Sequence, residues 1–504
     1  MNHLSNQIAS LTPEQLQLLQ VRLKEKGIDS LRMPIPRLRN LNQAKLSFAQ
    51  ERLWFLGELQ PNSSSYNTPF GLELSGELNV QVLERAFNEI LRRHQALRTT
   101  ISMLDNSPLQ VIAPFKPTAL QMIDLSDGEL ENREQLVVDL SVQEARRPFD
   151  LARGPLLRHS LLRLSRTFHV LLVTVHHIAF DGWSMGILVD EMVSLYGAYV
   201  GGDPSPLREP VIQYADYAEW ERQWLGSERL ARQLDFWREG LQGAPRLLKL
   251  PTDRPGRPSQ TANGAHQVLV LAAPLSRAIR QLSLDMGATV FMTLLAAFYV
   301  MLHRYSGQDD ICVGTPVANR NRRELEGLIG FFSNTLVMRC DLSGDPSFRE
   351  LLKRLREFVL GAYANQELPF EQLVEALQPV RGPNYTPLFQ MVFALQNAPI
   401  GELKLPGVKV VPLMVENHTA KFDLALNVTD SAAEFVGVIE YKTNLFDGTT
   451  VRRMFHHYQI ILEAVTANPD IHLIDIELED TESSNDILPR PALQDTFKLD
   501  EFSL

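Results

Sequence analysis

The sequence predicts an α/β protein made of two related halves, and three observations carry that expectation. Residues 168–175 read FHVLLVTV, a β-rich run whose near-continuous apolarity suits a strand buried on both faces. Leu83, Ala86, Phe87, Ile90 and Leu91 recur at helical spacing, the mark of an amphipathic helix. After the Pro-, Arg-, Ser- and Gly-rich stretch 243–264 the pattern restarts. A strand-like 266–271 leads to helices at 275–284 and 289–305, the order already seen over 70–94. At 504 residues the chain exceeds the roughly 250–300 at which single cores stop growing, so two domains are expected.

Taken in order, Thr12-Pro13-Glu14-Gln15 supplies a capping Thr, a Pro at the first helical position and a Gln three residues after the cap. Leu16, Leu19 and Leu23 then share a face, and Gly27 ends the helix. This helix and its linker are assigned to residues 1–39. Ser47 and Gln50 form a second capping box. A strand is expected at 70–74, and the helix carrying Met185, Leu188, Met192, Leu195 and Tyr199 ends at Gly201-Gly202. The two halves are placed at 40–210 and 211–480. The acidic remainder, 481–504, contains Pro489 and Pro491 and is expected to be a flexible tail.

A net charge of −11 offers no global basic field for nucleic acid or an anionic membrane. Cys312 and Cys340 are too few for a disulfide framework or metal cluster and suit a reducing compartment. No secretory pattern opens the chain. The longest near-apolar run, 290–302, is shorter than the roughly 20 residues that span a bilayer and reads as a buried helix. The expectation is a cytoplasmic protein that contacts neither nucleic acid nor membrane.

The chemistry concentrates in His176-His177-Ile178-Ala179-Phe180-Asp181-Gly182, between the buried strand and the following helix. A His at a strand end exchanges protons near neutral pH. Asp181 could orient that ring or pin the loop through an Arg. Gly182 would let the backbone turn sharply and approach a substrate closely. Because neighbouring strand residues point to opposite faces, only one of the two histidines is expected to face a cavity. The same alternation, without a Cys or third His at ligand spacing, argues against zinc. G-x-S-x-G, Walker A and G-x-G-x-x-G patterns are absent.

This string resembles the HHxxxDG signature of nonribosomal peptide synthetase condensation domains, and six further stretches resemble the family's other motifs in its order. They are 47–56 (SFAQERLWFL), 93–99 (RHQALRT), 214–220 (YADYAEW), 329–335 (IGFFSNT), 365–371 (NQELPFE) and, more loosely, 381–388. Ser333 stands where the family usually has Val, and Asn365 and Glu367 replace His and Asp. The resemblance implies two chloramphenicol-acetyltransferase-like subdomains in a V-shaped pseudodimer with a tunnel between them. It makes His177 catalytic and His176 structural. It pairs Asp181 with an Arg, for which Arg93 and Arg98 are the candidates, and sets Gly182, Trp183, Ser184, Ser333 and Asn334 at the reaction chamber.

The reaction so implied is amide formation between a donor thioester and an acceptor amine, each on a carrier protein, with no cofactor bound by this chain. Upstream and downstream carriers are the expected partners, contacted through a basic patch at Arg320, Arg322 and Arg323. The acidic tail, where an adenylation domain would follow, favours a free-standing form. An epimerisation domain would need an E-G-H-G-R-type motif, a heterocyclisation domain would replace the histidines, and plant-type acyltransferases carry D-F-G-W-G. None of these matches. A starter domain loading a fatty or aryl group and a non-catalytic recruitment domain of the same fold remain as alternatives, the latter set against by the retained His177.

Overall fold

The computed structural model describes residues 34–38 and 42–478, apart from 128–129, 225–226, 246, 255–262, 379–386, 397–402 and 432, together with single positions between 15 and 26. The expected N-terminal helix lies mostly outside the described residues, and so does the acidic tail. The described chain divides into two α/β units. One comprises Met1–Leu230, Ala318–Ser333 and Ala398–Asn417; the other comprises Ala231–Val317, Asn334–Asn397 and His418–Leu504.

The first unit is organised by the strand Phe168–His176, next to the middle of a six-stranded sheet. The order from edge to edge is Lys404–Leu405, Val408–Leu413, Asn67–Gly76, Phe168–His176, Leu157–Arg163, Gln121–Asp124. All pairs are antiparallel except the last. The strand's continuous apolarity has the expected cause. Leu171, Val173 and Val175 pack with Leu83, Phe87 and Ile90 of helix Val80–Arg93 and with Leu188, Met192 and Leu195 of helix Gly182–Val200. Val170 and Leu172 point the other way, into a cluster with Val137 of helix Leu130–Arg146. A period of two with both faces covered favours apolar side chains along the whole run, and its two polar members, His169 and Thr174, are buried as well. A small antiparallel sheet, Gln43–Lys45, Ser107–Ile112 and Thr99–Leu104, completes this unit.

The second unit holds a mixed six-stranded sheet ordered Asn334–Asp341, Asp310–Val317, Met391–Gln396, Leu424–Asp430, Phe435–Lys442, Gly264–Leu271. Its core helix, Val290–Ser306, buries every residue from Phe291 to Leu302, which accounts for the long apolar run. Among the described residues no single helix is long and apolar enough to cross a membrane.

Two expectations need correction. The division does not fall at 210/211, because helix Tyr214–Trp224 packs in the first unit against the strand Gln43–Lys45. Two later segments also return to that unit. The repeat holds for element order but not for sheet position. Strand Gly264–Leu271 lies at a sheet edge, whereas the equivalent Asn67–Gly76 has its outer side covered by Val408–Leu413. An uncovered edge presents unpaired N–H and C=O groups, so the added strand protects that flank.

That strand approaches closely. Gly76 sits opposite Val408 with φ +139, and a Cβ there would fall 2.2 Å from the Gly407 carbonyl oxygen. Gly76→Ala should therefore destabilise the fold by about 1–3 kcal/mol. A chemical denaturation midpoint unchanged from the parent would contradict this reading of the covered edge.

Candidate active site

The buried strand delivers His176, and the chain then turns through one short 3₁₀ turn, His177–Ala179, before helix Gly182–Val200 begins. The two histidines part as strand alternation requires. His176 is buried with its ring edge-on to Phe149, and its Nδ1 accepts the Ile178 N–H at 3.1 Å, capping the turn. His177 is half-buried on the other side, its ring 4.6 Å from that of Phe331.

The turn is held from outside. Ser47 and Gln50 form the expected capping box on helix Phe48–Leu59. Gln50 places its side-chain oxygen on the Ser47 N–H, which leaves its amide N–H to reach the Ile178 carbonyl at 3.1 Å. A signature that reads locally as a helix start thus also braces the turn that carries His177.

Asp181 does not touch the His177 ring. It is fully buried, and both carboxylate oxygens are engaged. Oδ1 accepts the Ser184 N–H at 2.9 Å, the Ser184 hydroxyl at 2.7 Å and Arg320 Nη2 at 3.0 Å. Oδ2 accepts the Phe332 N–H at 3.0 Å, with the Ser333 hydroxyl 3.5 Å away. One residue therefore caps the helix and anchors the segment Ala318–Ser333. Of the two roles open to Asp181, the structure shows the loop-pinning one.

The cation is Arg320, not Arg93 or Arg98. Arg320 also donates to the carbonyls of Leu325 and Leu328 at 2.5 and 2.6 Å, and it lies over the Phe332 ring at 4.2 Å. Burial lowers its pKa and the adjacent Asp181 opposes that effect. Arg320 is consequently no part of a surface patch. Arg322 pairs with Glu324 and lies over Trp220, so Arg323 alone of the three is exposed.

Arg93 and Arg98 serve elsewhere. Arg93 and His94 both bond the buried Glu191, at 2.9 Å each, in the middle of helix Gly182–Val200. The other His94 nitrogen accepts the Ile329 N–H at 3.3 Å. Burial pushes the Glu191 pKa up, but His94 and Arg93 outweigh it and hold the carboxyl below its ordinary value. Arg98 donates to the Ala113 carbonyl.

The remaining expected residues divide similarly. Gly182 is exposed at the first position of its helix without a left-handed φ, so the expected sharp turn is not what it provides. Trp183 donates to the Glu326 carbonyl at 2.9 Å. The Ser184 hydroxyl accepts the Gly330 N–H at 3.1 Å. Asn334 lies in the second unit, its amide bonding the carbonyls of Gln366 and Leu368 at 2.8 Å each. Ser184 and Asn334 thus have their polar atoms bound within the protein.

Sequence reasoning missed Tyr214. Its hydroxyl, fully buried, donates to the Phe331 carbonyl at 2.6 Å and accepts from Ser47 at 2.8 Å. Its ring explains Gly330, where a Cβ would lie 2.1 Å from Tyr214 Cδ2. The quoted motifs contained both residues, but their contact spans more than a hundred positions and no local spacing announces it.

The condensation-domain family model matches residues 40–488. A linear gramicidin synthase protein of Brevibacillus parabrevis is 47% identical over 439 residues, covering 87% of this chain and 6% of that protein. The chain thus spans a small fraction of that relative's length. Among solved structures, the X-domain from teicoplanin biosynthesis superposes with a TM-score of 0.80 at 26% identity, covering 88% of this chain and all of that one. It has also been solved in complex with OxyB. The first condensation domain of the calcium-dependent antibiotic synthetase shares the fold, with a TM-score of 0.74 at 21% identity over 87% of this chain and 99% of that one.

Two predictions test this geometry. Asp181→Ala and Arg320→Ala should each destabilise by about 3–5 kcal/mol, because each strands a buried charge. The double variant should lose far less than the sum, whereas Asp181→Ala combined with Arg98→Ala should be additive. Additivity in the Arg320 cycle would refute the pairing. For Glu191, the carboxyl titrates lower in the folded chain than in the unfolded one. Its stabilisation is complete above the ordinary value of 4.5 and disappears as pH falls through the depressed folded value. Melting-temperature profiles of parent and Glu191→Gln should differ at pH 7, and the difference should shrink as pH falls below 4.5.

Proposed function

This chain belongs to the condensation-domain family of nonribosomal peptide synthetases, and on that premise we propose that His177 serves amide-bond formation between a carrier-bound acyl or peptidyl thioester and a carrier-bound aminoacyl group. The observation that carries the reading is the 2.6 Å contact between His177 Nδ1 and the Phe180 carbonyl. A carbonyl can only accept, so Nδ1 carries the hydrogen and Nε2 of the neutral ring carries the lone pair.

An Nε2 lone pair suits a base for the acceptor amine. As the amine nitrogen bonds the thioester carbon, the C–S bond breaks and the donor arm leaves as its thiolate. Nε2 takes the proton lost by nitrogen and passes it to sulfur. The lengthened chain then sits on the acceptor carrier. Tethering both reactants on phosphopantetheine arms supplies effective concentration, so this chain's share is orientation and proton transfer. Asp181, Arg320 and His176 support the loop and take no part in the bond changes.

A second reading, a docking module without chemistry, draws support from the likeness to the teicoplanin X-domain, which has been solved bound to OxyB. The parent and one variant together separate the two. Given an acyl-carrier and an aminoacyl-carrier, His177→Ala should form product about 10²–10⁴-fold more slowly while melting like the parent. Mass spectrometry of the acceptor carrier reads the outcome. A rate within threefold of an active parent would refute the role of His177, and a parent that itself forms no product above background would favour the docking role.

A further inference from the structure

The peptide joining Phe331 to Phe332 is gripped on both sides by buried side chains from distant parts of the chain. Tyr214 holds its carbonyl at 2.6 Å and Asp181 holds its N–H at 3.0 Å. One residue earlier, the Gly330 N–H bonds the Ser184 hydroxyl at 3.1 Å, and the Tyr214 ring fills the space a Gly330 Cβ would need. Three consecutive residues are therefore fixed by Ser184, Tyr214 and Asp181, none of which touches the His177 ring in a hydrogen bond. The side chain this grip directs is Phe331, whose ring lies against His177 at 4.6 Å with a 49° tilt.

We infer that Phe331 is a positioning residue for His177: its aromatic ring sets the imidazole plane, and the buried network of Asp181, Arg320, Ser184 and Tyr214 serves to hold that ring in place. The inference rests on the proposed role of His177 and deepens it. The Phe180 carbonyl holds the Nδ1 edge of the imidazole at 2.6 Å, and the Phe331 ring packs against the imidazole. A tilted aromatic neighbour at this separation restrains the plane of the imidazole by packing. Its π face also favours the imidazolium formed when Nε2 takes a proton. A branched aliphatic side chain of similar volume would fill the space without fixing the ring or offering that face.

The test uses the full chain with carrier-bound substrates and four variants. Phe331→Leu should lower kcat about tenfold and leave KM for both carriers within twofold, and Phe331→Tyr should restore most of the rate. Tyr214→Phe, which keeps the buried ring and removes the grip on the carbonyl, should show a smaller kcat loss of the same kind. In spectra of histidine-labelled protein, with His177→Ala giving the assignment, the His177 ring resonances should shift in Phe331→Leu as the neighbouring ring current is lost. Unmoved resonances, or a parental kcat in Phe331→Leu while His177→Ala is inactive, would overturn the positioning role alone. Full activity in His177→Ala would overturn the proposed function, and the positioning role with it.

Discussion

The first unit depends on a carboxylate without access to water. Asp181 sits at 0% exposure with four close donors, one of them a guanidinium on a residue itself 7% exposed. A buried charge is tolerable only when its partners are all in place, since removing any one leaves a desolvation cost that nothing offsets. That requirement is what makes the arrangement specific. The carboxylate must cap a helix, receive an arginine 139 residues away and bond the backbone of a returning segment. A looser arrangement would leave a buried polar atom unsatisfied, so the loop before the helix has one acceptable geometry.

Around this centre several motif stretches of the first unit are joined by hydrogen bonds. Ser47 links to Tyr214, Gln50 to the turn after the buried strand, and Arg93 and His94 to the helix that Asp181 caps. Under the proposed function these residues serve the chemistry through what they hold. His177, the proposed base, lies in the turn directly after a strand buried on both faces.

Much of this was legible in the sequence, and what was not has an identifiable cause. The strand at 168–175 announces itself through near-continuous apolarity, its neighbouring helices through local periodicity, and the Ser47 box through spacing of three. Alternation at a strand end tells the two adjacent histidines apart, but only the motif resemblance singles out His177 as the candidate. Arg320 was not legible, because a short basic run, Arg320-Asn321-Arg322-Arg323, looks like solvated surface. Only the fold shows that its first arginine turns inward over Phe332. The 210/211 boundary failed for a similar reason, since composition shifts do not reveal a chain that leaves a unit and comes back.

That return has a consequence for the order in which the protein can be completed during synthesis. Domains commonly fold as units with the N-terminal one first, as the chain emerges. Here the first unit cannot follow that schedule. Its buried carboxylate waits for Arg320 and Phe332, and the flank of its central sheet stays open until Val408–Leu413 has been made. By then most of the second unit has already left the ribosome. The half that begins the sequence is thus among the last to close, and a nascent chain carries an open sheet edge for much of its elongation.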